Sequence, residues 1–234
     1  MSEVEVEETL RIADMAERLR AYKMSLAYSY FFVVWASVMV GLPLACLAIL
    51  FSPWFGAVRT CYLVLFLTSV GLGIAISMTI MFYMMVKFEV LKSQGRDWTQ
   101  IIWPLAFSAP FAITYGILSA LGLQSLMPVA WAPSGGVSFL IIGLTMEREL
   151  VSRRLLYARP FLATGALALA ASVPVLYVAF RPEECAYLVA SELMWSWSAG
   201  PLSAMLLASA SYLIISLAAS IYTLMAAERA ILRP

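Results

Sequence analysis

The sequence has no histidine, no asparagine and only three glutamines. Without histidine the chain cannot supply a His-ligated haem, a His-containing zinc site, or a Ser-His or Cys-His catalytic pair. No N-glycosylation sequon exists either, because every sequon needs an asparagine. Depletion of these thermolabile amides is typical of thermophile proteins. We therefore expect a bacterial or archaeal source that lives at high temperature.

Charge is also scarce. Charged residues make up 12% of the 234 residues, about half of what soluble domains carry, whereas 63% are hydrophobic. The net charge of +1 offers no polycationic surface, so the charge does not indicate direct nucleic-acid binding. These proportions predict an integral membrane protein, and the lipid bilayer is the first partner that they imply.

Long charge-free runs predict six membrane-spanning helices, each with the roughly 20 residues needed to cross the hydrocarbon core. The run from Thr99 to Met146 is long enough for two of them, joined by a turn at Gln124 and Ser125. The predicted spans lie at about 25–50, 60–86, 101–123, 127–146, 160–180 and 201–227. The sequence thus predicts an all-α integral membrane protein whose transmembrane domain covers residues 24–228.

The positions of the basic residues predict the orientation, because cytoplasmic loops are enriched in Lys and Arg. Most of the 15 basic residues fall at the N-terminus, after the second span, after the fourth span and at the C-terminus. Only Arg59 and Arg181 fall on the other side. We therefore expect a multi-pass protein of a prokaryotic plasma membrane with both termini in the cytoplasm.

Two segments outside the spans have patterns of their own. Residues 1–23 are typical of an amphipathic helix at the interface, since Ser2 and Glu5 form a capping box and apolar residues recur on one face. This helix serves either as a membrane anchor or as a docking helix for a cytoplasmic partner. Residues 181–200 predict an outer segment that rests on the bilayer surface.

The predicted interior of the membrane contains no Asp, Glu, Lys or Arg, although ion-coupled carriers usually hold one there. The sequence also lacks a Gly-x-Ser-x-Gly elbow and a Gly-rich phosphate loop. We therefore expect a protein that is not an enzyme, with no catalytic residue, cofactor or metal. The energy for any transport then comes from a partner protein.

Small residues at helical spacing predict close helix packing. The rows are Ala112, Gly116 and Ala120 in the third span and Thr164, Ala168 and Ser172 in the fifth. In the last span, Ser209, Ser216 and Ser220 form a row that is a candidate lining for a weakly polar passage, with helix packing as the alternative interpretation.

The loop after the fourth span contains Glu147-Arg148-Glu149 and then Leu155-Leu156 before Pro160. It resembles the Glu-Arg-Glu stretch followed by Leu-Leu-x-x-Pro in exporter-type ABC permeases. In that family the stretch normally follows the second span, and Gly-Thr stands where this chain has Val151-Ser152. The resemblance implies a six-span permease that works with a separate cytoplasmic ATPase, either as a homo-oligomer or with a partner membrane subunit.

The resemblance also implies that two loops receive the ATPase, residues 87–98 as a coupling segment and residues 147–159 as a second contact. The basic residues that topology requires are the alternative explanation for these loops. The candidate docking residues are Lys87, Glu89, Lys92, Arg96, Glu147, Arg148, Glu149, Arg153 and Arg154.

The sequence therefore predicts a non-enzymatic membrane-spanning subunit of a multi-component transporter, with an ABC exporter-type permease as the first interpretation. The alternative is a channel or platform subunit of a secretion or DNA-import machine.

Overall fold

The computed structural model describes residues 3–50, 98–123, 126–180 and 199–232, together with five residues between positions 72 and 83. All regular elements in these ranges are helices, as the sequence predicts. They are α1 (Glu3–Leu50), α2 (Trp98–Ala120), α3 (Trp131–Ile142), a π-helical turn (Gly143–Glu147), α4 (Arg148–Ser152), α5 (Pro160–Phe180) and α6 (Ala199–Leu232).

Two of these helices are long and apolar enough to cross a membrane, over Pro160–Phe180 and Ser203–Leu232. The first has the bounds of the predicted fifth span, and α6 contains the predicted sixth. Large apolar side chains remain exposed on both helices, for example Val173 at 68% and Ile214 at 67%. Such surfaces suit lipid, which supports a membrane location. The six spans and the sidedness of the termini stay predictions.

Helix α1 is one uninterrupted helix of 48 residues, about 70 Å long at 1.5 Å per residue. Its first glycine is Gly41, and no proline precedes that position, so nothing in the sequence breaks the helix earlier. The predicted amphipathic segment and the predicted first span therefore belong to the same helix. Residues 5–17 are exposed on all sides, and burial begins at Ala21.

The helices pack in an order that differs from their order in the chain. Helix α1 lies against α6, α6 against α5, α5 against α3, and α3 against α2. The hydroxyls of Ser29 and Ser220 lie 2.6 Å apart and join α1 to α6. At the crossing of α3 and α5, a Cβ atom on Gly165 would lie 2.6 Å from the Leu140 nitrogen, so glycine permits this approach.

An aromatic cluster holds the described helices together. The ring of Phe139 on α3 lies at its centre, with centroids 5.6 Å from both Trp35 and Phe161, 5.8 Å from Phe107 and 6.5 Å from Tyr212. These four rings come from α1, α5, α2 and α6, at distances typical of favourable aromatic pairs. The cluster therefore fixes the first turn of α5, where Phe161 lies.

The two rows of small residues have different environments. The α5 row is buried, which confirms its predicted role in packing: Thr164, Ala168 and Ser172 are all at most 3% exposed. The α2 row, Ala112, Gly116 and Ala120, is exposed. A Cβ atom on Gly116 would meet nothing within 4 Å. The α2 row therefore does not contribute to packing among the described residues.

Candidate functional site

The connection between α3 and α5 contains the candidate docking residues that the structure describes. We call residues 148–159 the arginine loop. A π-helical turn, Gly143–Glu147, leads into it from α3. Such turns hold one residue more than an α-helical turn and recur at functional sites. Here the turn leaves Glu147 fully buried, at 0% exposure, while the next residue, Arg148, is exposed.

Glycine at position 143 makes this arrangement possible. A Cβ atom there would lie 2.5 Å from the backbone nitrogen of Leu162 and 2.6 Å from its Cα. Real Cβ atoms do not approach a backbone so closely, so only glycine lets the first turn of α5 reach the π-helical turn. One helical turn later along the chain, the side chain of Glu147 meets the same end of α5.

The side-chain carboxyl of Glu147 caps α5 from outside that helix. The backbone N–H of Phe161 donates to Oε1 over 2.9 Å, and that of Leu162 donates to Oε2 over 3.0 Å. The first N–H groups of a helix have no partner within it, and proline suits the first position because it has no N–H. Pro160 begins α5 in this way. The positive end of the helix also favours a nearby negative charge.

Burial nevertheless dominates the ionisation of Glu147. Desolvation raises the pKa of this carboxyl from 4.5 to about 7. The N–H donors of Leu162 and Phe161 and the positive charge of Arg159 lower the pKa, but by less than burial raises it. Burial therefore raises the pKa of Glu147 into the neutral range.

A hydrogen-bonded cap at the C-terminal end of α4 also fixes the arginine loop. The N–H of Leu155 donates to the carbonyl of Leu150 over 2.9 Å, and that of Arg154 donates to the carbonyl of Val151 over 3.1 Å. This is the Schellman arrangement, and Leu150 and Leu155, at the two positions where an apolar contact commonly accompanies it, are both buried. Arg154 takes the left-handed position that glycine usually fills, with φ 57°.

Four arginines project from this fixed backbone. Arg148, Arg153, Arg154 and Arg159 are all exposed. Arg153 pairs with Glu149 one helical turn away, with Nη2 2.5 Å from Oε1. The positive charge is therefore concentrated on a short segment whose backbone is held at both ends.

The N-terminal part of α1 lies beside the arginine loop. A cleft of about 400 Å³ separates the two, lined by Ala16, Glu17, Arg20, Arg153 and Leu155. The exposed end of α1 and the arginine loop thus share one face of the protein.

The structure changes the interpretation of Glu147 and of the serine row. Glu147, one of the candidate docking residues, is buried, and its side chain joins the start of the arginine loop to the first turn of α5. Ser209, Ser216 and Ser220 are buried among packed helices. Ser209 donates to the carbonyl of Met205, and Ser220 contacts Ser29. The buried hydroxyl of Ser216 has no hydrogen-bond partner among the described residues. The role of this row as the lining of a passage stays a prediction.

Other predicted parts lie outside the described residues. They are the coupling segment with Lys87, Glu89, Lys92 and Arg96, the turn at Gln124 and Ser125, and nearly all of the outer segment 181–200.

Sequence reasoning missed the capping role of Glu147 because the residue follows an apolar run and was counted with the exposed loop. Two signals pointed to it: a glycine one turn earlier and a proline that opens the next helix. Within the described ranges, no cluster of three His, Cys, Asp or Glu side chains is arranged to hold a metal ion. Comparisons with family models, with curated proteins and with solved structures find no match to this chain.

Proposed function

We propose that this chain is the membrane-spanning subunit of a multi-component transporter, and that a separate cytoplasmic ATPase binds it at the arginine loop. The observation that carries the proposal is the combination of exposed arginines with a backbone that is fixed at both ends. A loop that only satisfied the topology rule would need the positive charges but not the fixed backbone.

The chemistry of the loop indicates what kind of surface it binds. Arginine forms paired hydrogen bonds to carboxylates, and its planar guanidinium loses little freedom when it does so. We therefore expect an acidic patch on the ATPase. Such charge pairs speed association and set the orientation of the partner, and added salt screens them.

The connection to α5 provides a route for movement. The arginine loop leads directly into Pro160, and Glu147 joins the start of the loop to the first turn of α5 through two hydrogen bonds. A partner that displaces the loop therefore displaces α5, which is one of two helices in the described ranges that are long and apolar enough to cross a membrane. The resemblance of residues 147–160 to exporter-type ABC permeases supports the same arrangement.

The test is purification of the tagged chain in detergent from its source organism, identification of an ATPase that co-purifies with it, and measurement of the affinity between the two. We expect Arg154→Glu to weaken binding at least about tenfold, since it places like charges against the acidic patch. Arg229→Glu is the matched control, because Arg229 is an exposed arginine near the end of α6, and it should leave the affinity unchanged.

Two results would contradict the proposal: no ATPase binds the wild-type chain, or Arg154→Glu and Arg229→Glu bind equally well. Recovery of a hexameric ATPase together with pilin-like proteins would instead favour the channel or platform subunit of a translocation machine.

A further inference from the structure

Glu147 is a completely buried carboxyl, and binding of a partner at the arginine loop does not require such burial. Its carboxyl is completely buried, and both of its oxygens accept hydrogen bonds from backbone N–H groups. Backbone donors carry no net charge, and among the described residues no cation forms an ion pair with Glu147. A buried carboxylate without a paired cation is costly, and such a group tends to take up a proton.

The surroundings of Glu147 contain few groups that could compensate its charge. Helix α3 contributes no titratable side chain, and neither do the first four turns of α5. Among the described residues, the groups that interact electrostatically with Glu147 are Arg159 on the arginine loop and Tyr28 on α1. Arg148, Glu149 and Arg153 follow it closely along the chain. Arg148 and Arg159 are exposed, and Glu149 is paired with Arg153.

Tyr28 is the group that faces this site from α1. Its side chain is 2% exposed, its ring packs edge-on against Phe161 at 5.4 Å, and it lies within electrostatic reach of Glu147. Its hydroxyl has no hydrogen-bond partner among the described residues. The buried neighbour of this site on α1 is therefore an aromatic side chain, and the cation that acts on Glu147 electrostatically, Arg159, is exposed.

We propose that Glu147 is a proton-binding site that controls how tightly the arginine loop packs on α5. When Glu147 carries its proton, the buried carboxyl is neutral and the loop stays closed. When the proton leaves, the negative charge is more stable in water, so opening of the loop becomes more favourable. This inference goes beyond the proposed function, because it concerns one chain and requires no ATPase.

The direction of the pH effect follows from linkage. In the opened form, Glu147 is solvated and has the ordinary glutamate pKa of 4.5, whereas burial raises the pKa to about 7 in the closed form. Between these two values the closed form holds a proton that the opened form has lost, so rising pH favours opening. The opening equilibrium should increase about tenfold per pH unit in this window and level off above it.

Hydrogen exchange of the Phe161 and Leu162 amides tests this proposal in the full chain, reconstituted in lipid nanodiscs. The measured quantity is the protection factor, which compares each exchange rate with that of a free amide at the same pH. For the wild type we expect protection to fall about tenfold per pH unit between about pH 4.5 and 7, and then to stay constant.

Two variants separate the proton site from general pH effects. Glu147→Gln cannot ionise, so its protection should not change across the window. Glu149→Gln removes an exposed carboxyl two residues away and should follow the wild type. Constant wild-type protection between about pH 4.5 and 7 would overturn the proposal, and so would an unchanged decline in Glu147→Gln. The wild-type profile decides the question even if Glu147→Gln does not fold.

Discussion

Arg154 occupies a backbone conformation that costs a non-glycine residue about 1–2 kcal/mol. The turn after α2 shows the ordinary solution, because Gly122 there has φ 70° and the N–H of Leu123 donates to the carbonyl of Leu118. The two turns have the same hydrogen-bond pattern and differ in the residue at the left-handed position. The chain thus has an arginine at the tip of the arginine loop although glycine would be more stable there.

Replacing Arg154 with glycine should stabilise the protein by about 1 kcal/mol, since glycine has no Cβ penalty at positive φ. The measurement is the free energy of unfolding in a mixed detergent titration. Arg148→Gly is the matched control: it also removes one exposed arginine, but from right-handed helical backbone with φ −57°. There glycine should destabilise by up to about 1 kcal/mol. Equal changes of the same sign would contradict this explanation.

The residues of the candidate site were predictable to different degrees. The positive charge and exposure of Arg148, Arg153 and Arg154 follow from their position between two apolar runs. The burial of Glu147 does not, because it depends on one extra residue in a helical turn and on the clearance beside Gly143. Neither property alters the composition or the periodicity of the sequence.

At the scale of elements, the crossing of α3 and α5 determines the geometry of the arginine loop. A glycine on each side permits this close approach: Gly143 in the π-helical turn that follows α3, beside Leu162, and Gly165 on α5, beside Leu140. The Glu147 cap forms beside this contact. The distance between the two helices therefore decides whether the cap can form.

Gly143→Ala should destabilise the protein by at least about 2 kcal/mol, because the added Cβ would clash with the backbone of Leu162 and force the helices apart. We expect the Phe161 and Leu162 amides to lose protection from hydrogen exchange in the same variant. Gly116→Ala provides the comparison, as its Cβ meets nothing within 4 Å. That substitution should be neutral or stabilising by up to about 1 kcal/mol through helix propensity. Equal effects of the two substitutions would refute the role of the crossing.

Helix boundaries were predictable where the sequence contains a stop. Pro160 begins α5 at the first residue of the predicted fifth span. No such signal separates residues 1–23 from the first span, so an amphipathic pattern followed by an apolar one produces a single helix in α1. Hydropathy shows where the chain passes from water into an apolar environment. A helix ends only where a capping residue, a glycine or a proline stops it.

At the scale of the whole molecule, the first and last described helices pack against each other. Hydropathy could not predict this pairing, because many apolar faces suit lipid and protein equally well. Specific side-chain contacts decide which helix packs against α1, for example the hydroxyl contact between Ser29 and Ser220.

The pairing of α1 with α6 can be tested by cross-linking. In a chain whose own three cysteines are replaced, Ser29→Cys with Ser220→Cys should form a disulfide under mild oxidation, because the present oxygens lie 2.6 Å apart. After cleavage at a protease site introduced between α1 and α6, the fragments should stay joined until reductant is added. Ser37→Cys with Ser220→Cys is the control, since Ser37 is exposed and lies about 12 Å further along α1. Cross-linking of both pairs at equal rates would speak against the observed register.

The continuity of α1 has a mechanical consequence. With no glycine or proline before Gly41, the helix has no hinge between its exposed end and the face that packs on α6. A force applied near residue 10 is therefore transmitted along the helix to the Ser29–Ser220 contact, because the helix between them does not bend. The exposed end of α1 and the part that packs on α6 therefore move together as one rigid helix.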